Sequence, residues 1–398
     1  MITDGTIIRL AAKGDGLTSD GRHFSGTAPG DEVLADGSFD RGPHYQTPPC
    51  RHFGKCGGCQ LQHCDDAALA EFVSNRVKFA AESQGLEPDV MTAAHLSPTK
   101  SRRRATMLAT NIGGRPHIGF REAGSHRLVD LAECHILRPE LFALVAPLRA
   151  MLARRKGRYS VEVELAIVEE GVDCGLKNLP VEGLAETEAL LDFARDNALA
   201  RLTVDRGFGS ETNWEPQPAT VNLSGVSVPY PSGSFLQATR DGEDALVGAA
   251  REWLGDSATV ADLFAGLGTF AFALAGDTKV LAVEASRDVH FACKTAAGQS
   301  RRPVHSVHRD LFRNPLETQE LNRFTSVLLD PPRAGARDQI AQIAASTLER
   351  VAYISCNPSS WARDAKTLAD AAFKLRELRP VGQFRWSTHV ELASYFTR

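Results

Sequence analysis

The sequence predicts an α/β protein whose last part, residues 236–398, is a doubly wound parallel sheet. Three observations predict this fold: apolar strands alternate with helices after Thr239, short loops connect them, and polar residues follow the strand ends. We place these strands at 259–263, 279–283, 304–308, 325–329 and 351–355.

The rest of the 398 residues divides into two further regions. Residues 1–45 are rich in glycine between short alternating segments, which predicts a small β unit. Residues 46–235 form a mixed α/β middle domain that carries a cysteine cluster. Within it we predict a helix at 67–84 packed behind the cysteines, a strand at 158–168 and a helix at 182–197.

Composition favours a soluble intracellular protein. The first residues lack a signal peptide, and no apolar stretch approaches the roughly 20 residues of a membrane span. Eight cysteines are too few and too scattered for a disulfide-rich secreted domain in a chain of this length. We therefore expect a cytoplasmic location and no membrane partner.

The formal net charge is -4, but basic residues concentrate in one segment. Residues 76–158 hold fifteen Lys and Arg against seven Asp and Glu. Within this segment, 100–104 and 154–158 are candidate phosphate contacts, because phosphates provide most of the sequence-independent affinity of proteins for nucleic acids. A solvated basic face is the alternative reading.

Cys50, Cys56 and Cys59 follow the spacing C-x5-C-G-G-C. This spacing brings three thiols together around two glycines, which let the backbone approach a metal centre closely. The motif predicts a metal site.

A glycine loop follows the first strand of the C-terminal domain. Asp262 begins the motif D-L-F-A-G-L-G, and Glu284 ends the next predicted strand, where an acid can bind ribose hydroxyls. Residues 266–271 also match the dinucleotide pattern G-x-G-x-x-A, so a nicotinamide or flavin cofactor competes at this point.

Glu284, Asp310, Asp330 and Cys356 stand at or just after successive strand ends. In an open parallel sheet these ends share one ligand-binding crevice. The two prolines after Asp330 predict a rigid corner there, with capping of the next helix as the alternative role of this acid.

Cys356 is a candidate nucleophile. We expect the N-terminus of the helix after Ser359 to lower the pKa of its thiol. A base is offered by His389 or Glu391, which lie two residues apart in a predicted strand and should share a face. We choose Glu391, and expect burial to raise the pKa of its carboxyl.

Five motifs in this order resemble the RNA uracil-C5 methyltransferases that carry an iron-sulfur cluster: C-x5-C-G-G-C, D-L-F-A-G-L-G, D-P-P-R, S-C-N-P and H-V-E. The resemblance spans nearly the whole chain. It implies a Rossmann-like methyltransferase domain, S-adenosylmethionine as methyl donor and ribosomal or transfer RNA as substrate.

The resemblance also implies roles for individual residues. Cys356 matches the nucleophile that adds to uracil C6, and Glu391 matches the base that removes the C5 proton. Phe235 matches an aromatic that stacks on RNA, with an ordinary core phenylalanine as the alternative. The positions that match cofactor contacts are Gln237, Phe264, Thr269, Glu284, Asp310 and Asp330. Asparagine is often found where this chain has Thr269.

By family position Cys134 is the fourth cluster ligand, although Cys64 is nearer in sequence. Spacing does not separate zinc from iron, and the family alone favours a 4Fe-4S cluster over zinc. We expect a structural role for it, since methyl transfer needs no electron. Residues 1–45 resemble a shortened TRAM domain, an OB-like RNA-binding β-barrel whose later strands are missing.

The sequence therefore predicts an enzyme that forms 5-methyluridine in structured RNA, with ribosomal 23S RNA favoured over tRNA, and acts as a monomer. Two alternatives remain open. One is an iron-sulfur oxidoreductase that binds a dinucleotide at residues 266–271, and the other is a noncatalytic RNA-binding scaffold.

Overall fold

A computed structural model describes residues 3–155 and 157–398. Lys156, in a predicted phosphate-binding segment, lies outside these residues. None of the helices in the described ranges is long and apolar enough to cross a membrane. The described strands form sheets of five, seven, two and nine strands.

The N-terminal sheet has the strand order β3-β2-β1-β4-β5 and is antiparallel. Its strands are β1 (Thr3–Leu10), β2 (Gly16–Thr18), β3 (His23–Phe24), β4 (Glu32–Leu34) and β5 (Phe39–Asp40). Five strands suit a TRAM/OB-like unit, so the later strands are short rather than missing. The buried Asp31 carboxylate closes the unit by accepting hydrogen bonds from Arg41 Nη1 (2.6 Å) and the Gly42 backbone N–H (2.8 Å).

Helix α1 (Asp66–Glu82) confirms the predicted helix. Asp65 caps its N-terminus by accepting a hydrogen bond from the Ala68 N–H at 2.8 Å. Its apolar face, including Phe72 and Val77, joins the core beneath the C-terminal sheet. The predicted packing of this helix behind the cysteines stays a prediction, although the half-buried Cys59 also contacts this core.

The middle sheet has the order β10-β9-β8-β11-β12-β13-β14, and only β12 and β13 are parallel. Its strands are β8 (Arg104–Ile112), β9 (Arg115–Arg121), β10 (Leu128–Asp130), β11 (Ser160–Val168), β12 (Gly171–Lys177), β13 (Arg201–Asp205) and β14 (Ser210–Trp214). Helices α2 (Pro139–Ala143), α3 (Val145–Ala153) and α4 (Gly183–Asp196) lie along it; a shared core includes residues of all three helices and of this sheet.

The nine-stranded sheet has the order β19-β18-β17-β20-β21-β23-β22-β6, with β7 also paired to β22. Its strands are β6 (Val90–Met91), β7 (His95–Leu96), β17 (Thr259–Leu263), β18 (Lys279–Glu284), β19 (Val304–His308), β20 (Ser326–Leu329), β21 (Arg350–Ser355), β22 (Lys374–Gly382) and β23 (Glu391–Thr397). The accompanying helices are α5 (Arg240–Leu254), α6 (Thr269–Leu274), α7 (Arg287–Ser300), α8 (Thr318–Leu321), α9 (Arg337–Ala345) and α10 (Pro358–Asp370). A separate hairpin, β15 (Thr220–Leu223) and β16 (Val226–Pro229), packs near α7.

Strands β19, β18, β17, β20 and β21 are parallel, which confirms the predicted doubly wound domain. Alternate residues of these strands point to two separate cores on opposite faces: Leu263 and Tyr353 lie in one, and Val260 and Ala352 in the other. Because β6 and β7 also join this sheet, the middle segment contributes to it. The division at residues 45 and 235 stays a prediction.

Candidate functional site

Five strands of the nine-stranded sheet bring side chains to one edge. Strand β18 ends at Glu284, and Phe264, Asp330 and Cys356 directly follow β17, β20 and β21. Strand β23 is antiparallel to β21, so its first residue, Glu391, lies at the same edge. Neighbouring strands therefore place these five side chains side by side in one crevice.

The glycine loop after β17 is held by Glu284. Its two carboxylate oxygens accept hydrogen bonds from the backbone N–H groups of Gly266 (3.0 Å) and Ser286 (2.6 Å). Gly268 has a φ of 94°, and a Cβ there would lie 2.7 Å from the Phe272 ring. Only glycine fits both constraints.

An aromatic pair lies beside this loop. The rings of Phe264 and Phe312 are 5.3 Å apart. Asp310 holds the backbone of Phe312, because its Oδ1 accepts a hydrogen bond from the Phe312 N–H at 3.0 Å. Thr269 is the first residue of α6, and with Glu284 it flanks the loop. The arrangement offers flat apolar surface and ribose-binding acid groups to a nucleoside.

Gln237 bridges two sides of the crevice. Its buried amide donates to Asp330 Oδ2 at 3.3 Å and accepts from Gln383 Nε2 at 2.8 Å. Burial raises the pKa of Asp330 well above its usual range, and repulsion by Glu391 and Asp262 adds to the rise. The crevice thus concentrates carboxyl groups with few compensating cations.

Asp262 is a buried acid whose role the sequence did not reveal. Both carboxylate oxygens lack a hydrogen-bond partner among the described residues. Burial raises the pKa of this group to about 8. The detectable signal was an aspartate inside an apolar strand, but its position alone does not show whether a partner neutralises it.

Cys356 is half-buried between β21 and α10. The expected lowering of its pKa was wrong: burial, followed by repulsion from Glu391 and Asp330, raises the pKa to about 11. The helix effect is weak here because the Asn357 side chain accepts the Ser359 N–H at 3.2 Å, and Pro358 has no N–H to donate.

Glu391 is 3% exposed. Burial raises the pKa of its carboxyl to about 7, while Gln383, Arg104 and Arg333 oppose the rise. The expectation that burial raises this pKa is therefore confirmed. A carboxyl that is half ionised near neutral pH is well matched to a general base.

His389 does not share the strand with Glu391. It precedes β23 and is exposed, and its Nδ1 lies 3.1 Å from Arg333 Nη2. Partial desolvation by the neighbouring residues, and then the charge of Arg333, lower the pKa of the imidazole. The backbone carbonyl of Arg333 accepts hydrogen bonds from Asn357 Nδ2 and Ser360 Oγ, both at 2.9 Å. Arg333 thus ties the corner after β20 to the start of α10, a role that the sequence did not show.

Phe235 is an exposed aromatic rather than a core residue. Its ring is 58% exposed, and the Arg104 guanidinium lies 4.4 Å from the ring centroid. The Arg104 Nε is buried without a hydrogen-bond partner in the described part of the chain. The sequence identified Arg104 only as part of a candidate phosphate-binding segment, whereas it connects Phe235 with the electrostatic environment of Glu391.

The four predicted thiols line one cavity of about 210 Å³. Cys50, Cys56 and Cys59 meet Cys134 there, and Arg104 lines the same cavity. Cys64 is fully buried and does not line this cavity. Burial raises the pKa of its thiol, and repulsion by Asp31 and Asp65 adds to the rise. Within residues 3–155 and 157–398, no group of three His, Cys, Asp or Glu side chains is arranged to hold a single metal ion.

The cavity thiols are electrostatically linked. Burial raises the pKa values of Cys50 and Cys56, and raises that of Cys59 to about 12. Repulsion by neighbouring thiolates, including that of Cys134, adds to each rise. The Arg102 guanidinium is attracted by Cys134 and Cys59. Four soft ligands at one cavity are chemically suited to a thiolate-bound metal centre.

Comparisons with known proteins agree with this geometry. The model of the tRNA (uracil-5-)-methyltransferase family matches residues 226–398. An uncharacterized RNA methyltransferase of Zymomonas mobilis is 45% identical over 98% of this chain and 99% of its own length. The 23S rRNA (uracil(1939)-C(5))-methyltransferase RlmD of Chromohalobacter salexigens is 31% identical over 89% of this chain and 77% of its own length.

A solved structure has the same overall fold. It is the tRNA (uracil-54, C5)-methyltransferase of Pyrococcus abyssi in complex with S-adenosyl-L-homocysteine, with a TM-score of 0.76, 19% identity and 99% coverage of both chains. The full-length similarity to RNA methyltransferases and the match to the uracil-5 family model lead to one conclusion: this chain belongs to the RNA uracil-C5 methyltransferase family.

Proposed function

We propose that this enzyme forms 5-methyluridine in structured RNA, with 23S rRNA as the favoured substrate. The observation that carries the proposal is the edge at which Cys356 and Glu391 lie beside the glycine loop. The name of the Chromohalobacter relative, which acts on 23S rRNA, supports ribosomal RNA over tRNA.

Cys356 acts as the nucleophile in this proposal. Its Sγ forms a bond to uracil C6, and the electrons of the C5–C6 double bond then make C5 nucleophilic. With a pKa of about 11 in the free protein, the thiol has to lose its proton during the reaction. That proton leaves to solvent as Sγ attacks, so Glu391 stays ionised for the later removal of the C5 proton.

Glu391 acts as the base that completes the reaction. After C5 is methylated, its carboxylate removes the C5 proton, the C5–C6 double bond re-forms and the bond from C6 to Cys356 breaks. The pKa of about 7 supports this role, because the ionised form is well populated at neutral pH.

The crevice fits S-adenosylmethionine, which supplies an electrophilic methyl group when bound. The buried carboxyl groups of Asp330 and Glu391 repel each other. A cationic ligand at these strand ends is therefore electrostatically favoured. Glu284 and the paired rings of Phe264 and Phe312 suit its nucleoside part. Gln237, Thr269 and Asp310 complete the proposed contacts.

The thiol cavity fits a 4Fe-4S cluster held by Cys50, Cys56, Cys59 and Cys134. A cavity of about 210 Å³ is much larger than one water-sized site, and its lining provides the four thiols that such a cluster requires. We assign it a structural role, because it joins the 50–59 loop to a segment about seventy-five residues further along the chain.

Tritium release tests the reaction directly. Total RNA from a strain lacking this gene, labelled with 5-tritiated uridine, is incubated with the purified protein and S-adenosylmethionine. We expect release that depends on the methyl donor and that concentrates in the 23S rRNA fraction. Methyl incorporation without tritium release would instead place the methyl group on another atom.

Replacement of the proposed nucleophile tests the covalent step. Cys356→Ala should bind RNA with unchanged affinity yet form no denaturation-resistant adduct with RNA containing 5-fluorouridine, and its tritium release should fall at least about 1000-fold. Cys293→Ala, which removes a buried thiol on α7, is the matched control. A Cys356→Ala rate near that of the parent would exclude the covalent role.

A further inference from the structure

The loop between β13 and β14 presents an aromatic side chain to solvent. Phe208 is 97% exposed, more than any other large apolar side chain in the described residues. It stands between Gly207 and Gly209, whose φ values are 102° and 106°. Asp205 Oδ1 accepts hydrogen bonds from the N–H groups of both glycines, at 2.7 and 3.1 Å. The tip is therefore held in shape by the Asp205 side chain, while the ring has no contact that buries it.

Strand register places two other loops at the same edge of the middle sheet. Glu162 of β11 is paired with Lys177 of β12, which is paired with Asp205 of β13. The segment that enters β11 and the loop that leaves β13 therefore lie about 10 Å apart, two strand spacings. Ser160 is paired with Thr110, so the turn between β8 and β9 also belongs to this edge.

These three loops combine exposed arginines with exposed apolar side chains, and we call them the distal edge. Its members are Ile112, Arg115, Arg154, Arg158, Arg206 and Phe208. Ile112 is 51% exposed. None of the four arginines forms an ion pair within the described residues. Arg155, in contrast, pairs with Glu186 at 3.3 Å.

The distal edge lies at the end of the middle sheet that is remote from the catalytic crevice. Strand β8 starts at Arg104, which contacts Phe235, and ends at Ile112. Eight residues of strand span roughly 27 Å. Strand β13 also contacts the loop that carries Phe235, since Thr203 Oγ1, in the middle of the strand, lies 3.1 Å from Ser232 Oγ.

We propose that the distal edge binds a second, unpaired segment of the substrate RNA, with Phe208 stacking on a base and the arginines contacting phosphates. This inference rests on the proposed function and deepens it by naming a recognition site remote from the target uridine. Free arginines around an exposed ring match the chemistry of single-stranded RNA, which combines negative phosphates with stackable bases. A protein partner would not require this concentration of unpaired positive charge.

Equilibrium binding separates the two kinds of contact. The probe is deproteinised ribosomal RNA from a strain lacking this gene, titrated by filter binding over a range of salt concentrations. We expect Phe208→Ala to raise the Kd about five- to tenfold without changing its salt dependence. The double variant Arg158→Gln/Arg206→Gln should reduce the slope of log K against log salt by about 1.4, the value for two contacts to single strands.

Matched variants on α7 and at its C-cap residue, Arg301, control for loss of an aromatic ring or of two charges. They are Phe291→Ala, which removes a 46%-exposed ring, and Lys294→Gln/Arg301→Gln. All distal-edge substitutions are in exposed loops, and unchanged melting temperatures would verify that the variants fold. If Phe208→Ala, Arg158→Gln/Arg206→Gln and the control variants all bind RNA with the affinity of the parent, the distal edge does not bind RNA.

Binding does not depend on methyl transfer, so the two proposals fail separately. Weaker RNA binding by the distal-edge variants, together with no tritium release by the parent, would retain the RNA site and reject the uracil chemistry. Normal tritium release with unchanged binding would reject the distal edge alone. A protein partner at this edge would give the same unchanged RNA binding.

Discussion

Glu391 is the residue at which environment and chemistry are most directly connected. Its burial raises the pKa to about 7, so the fraction of base rises as pH increases through neutrality. We expect the rate of tritium release to fall about tenfold per pH unit below pH 7. Glu391→Gln should lower the rate by about 100- to 10,000-fold at pH 8, because the amide cannot accept the C5 proton.

The same variant should trap the intermediate. When proton removal fails, the bond between Cys356 and C6 cannot break, so a protein-RNA adduct should accumulate and be visible on a denaturing gel. Glu252→Gln, at a 63%-exposed carboxylate on α5, is the control. Rapid turnover by Glu391→Gln without an adduct would show that another group removes the C5 proton.

Residue-level chemistry was only partly predictable from sequence. The raised pKa of Glu391 was expected, since a carboxylate base in a strand has to be buried to work at neutral pH. The pKa of Cys356 was not, because the sequence shows the helix that follows but does not show that two carboxyls face the thiol. Electrostatics depends on partners brought together by the fold, as Asp262 and Arg104 also illustrate.

At the level of elements, the glycine loop should determine affinity for the methyl donor. Gly268→Ala would place a Cβ 2.7 Å from the Phe272 ring and impose a φ of 94° on a residue that disfavours it. We expect the Kd for S-adenosylmethionine, measured by calorimetry, to rise at least about tenfold. The cost of the substitution is at least about 1 kcal/mol.

Gly276→Ala is the matched control, because Gly276 follows α6 and a Cβ there meets no atom within 4 Å. Its affinity for the methyl donor should equal that of the parent. Equal affinities for Gly268→Ala and the parent would show that the loop tolerates the shift and does not determine binding.

Elements were predicted where their pattern is local. The five parallel strands and the helix that became α4 follow from short-range periodicity. Pairing over long distances was not visible: residues 90–96 join the C-terminal sheet beside β22, and β23 begins at Glu391 so that His389 lies outside it. A two-residue strand has too little pattern to reveal its partner.

At the level of the whole molecule, the middle sheet has candidate functional groups at both ends. Arg104 begins β8 next to the thiol cavity and Phe235, while Ile112 ends it at the distal edge. The sequence showed the concentration of positive charge over residues 76–158 but could not divide it between two ends. Strand register makes that division, because it determines which loops emerge together.

The thiol cavity should hold distant parts of the chain together through its metal centre. Cys134→Ala removes one of the four proposed ligands, so we expect the purified protein to contain less iron and sulfide, to lose visible absorption and to melt at a lower temperature. Cys64→Ala is the matched control, since this buried thiol does not line the cavity, and it should retain the parent's iron content. Stoichiometric zinc in the anaerobically purified parent would contradict the cluster. Equal iron in both variants would exclude Cys134 as a ligand, because a cavity thiol that binds iron cannot be removed without weakening the site.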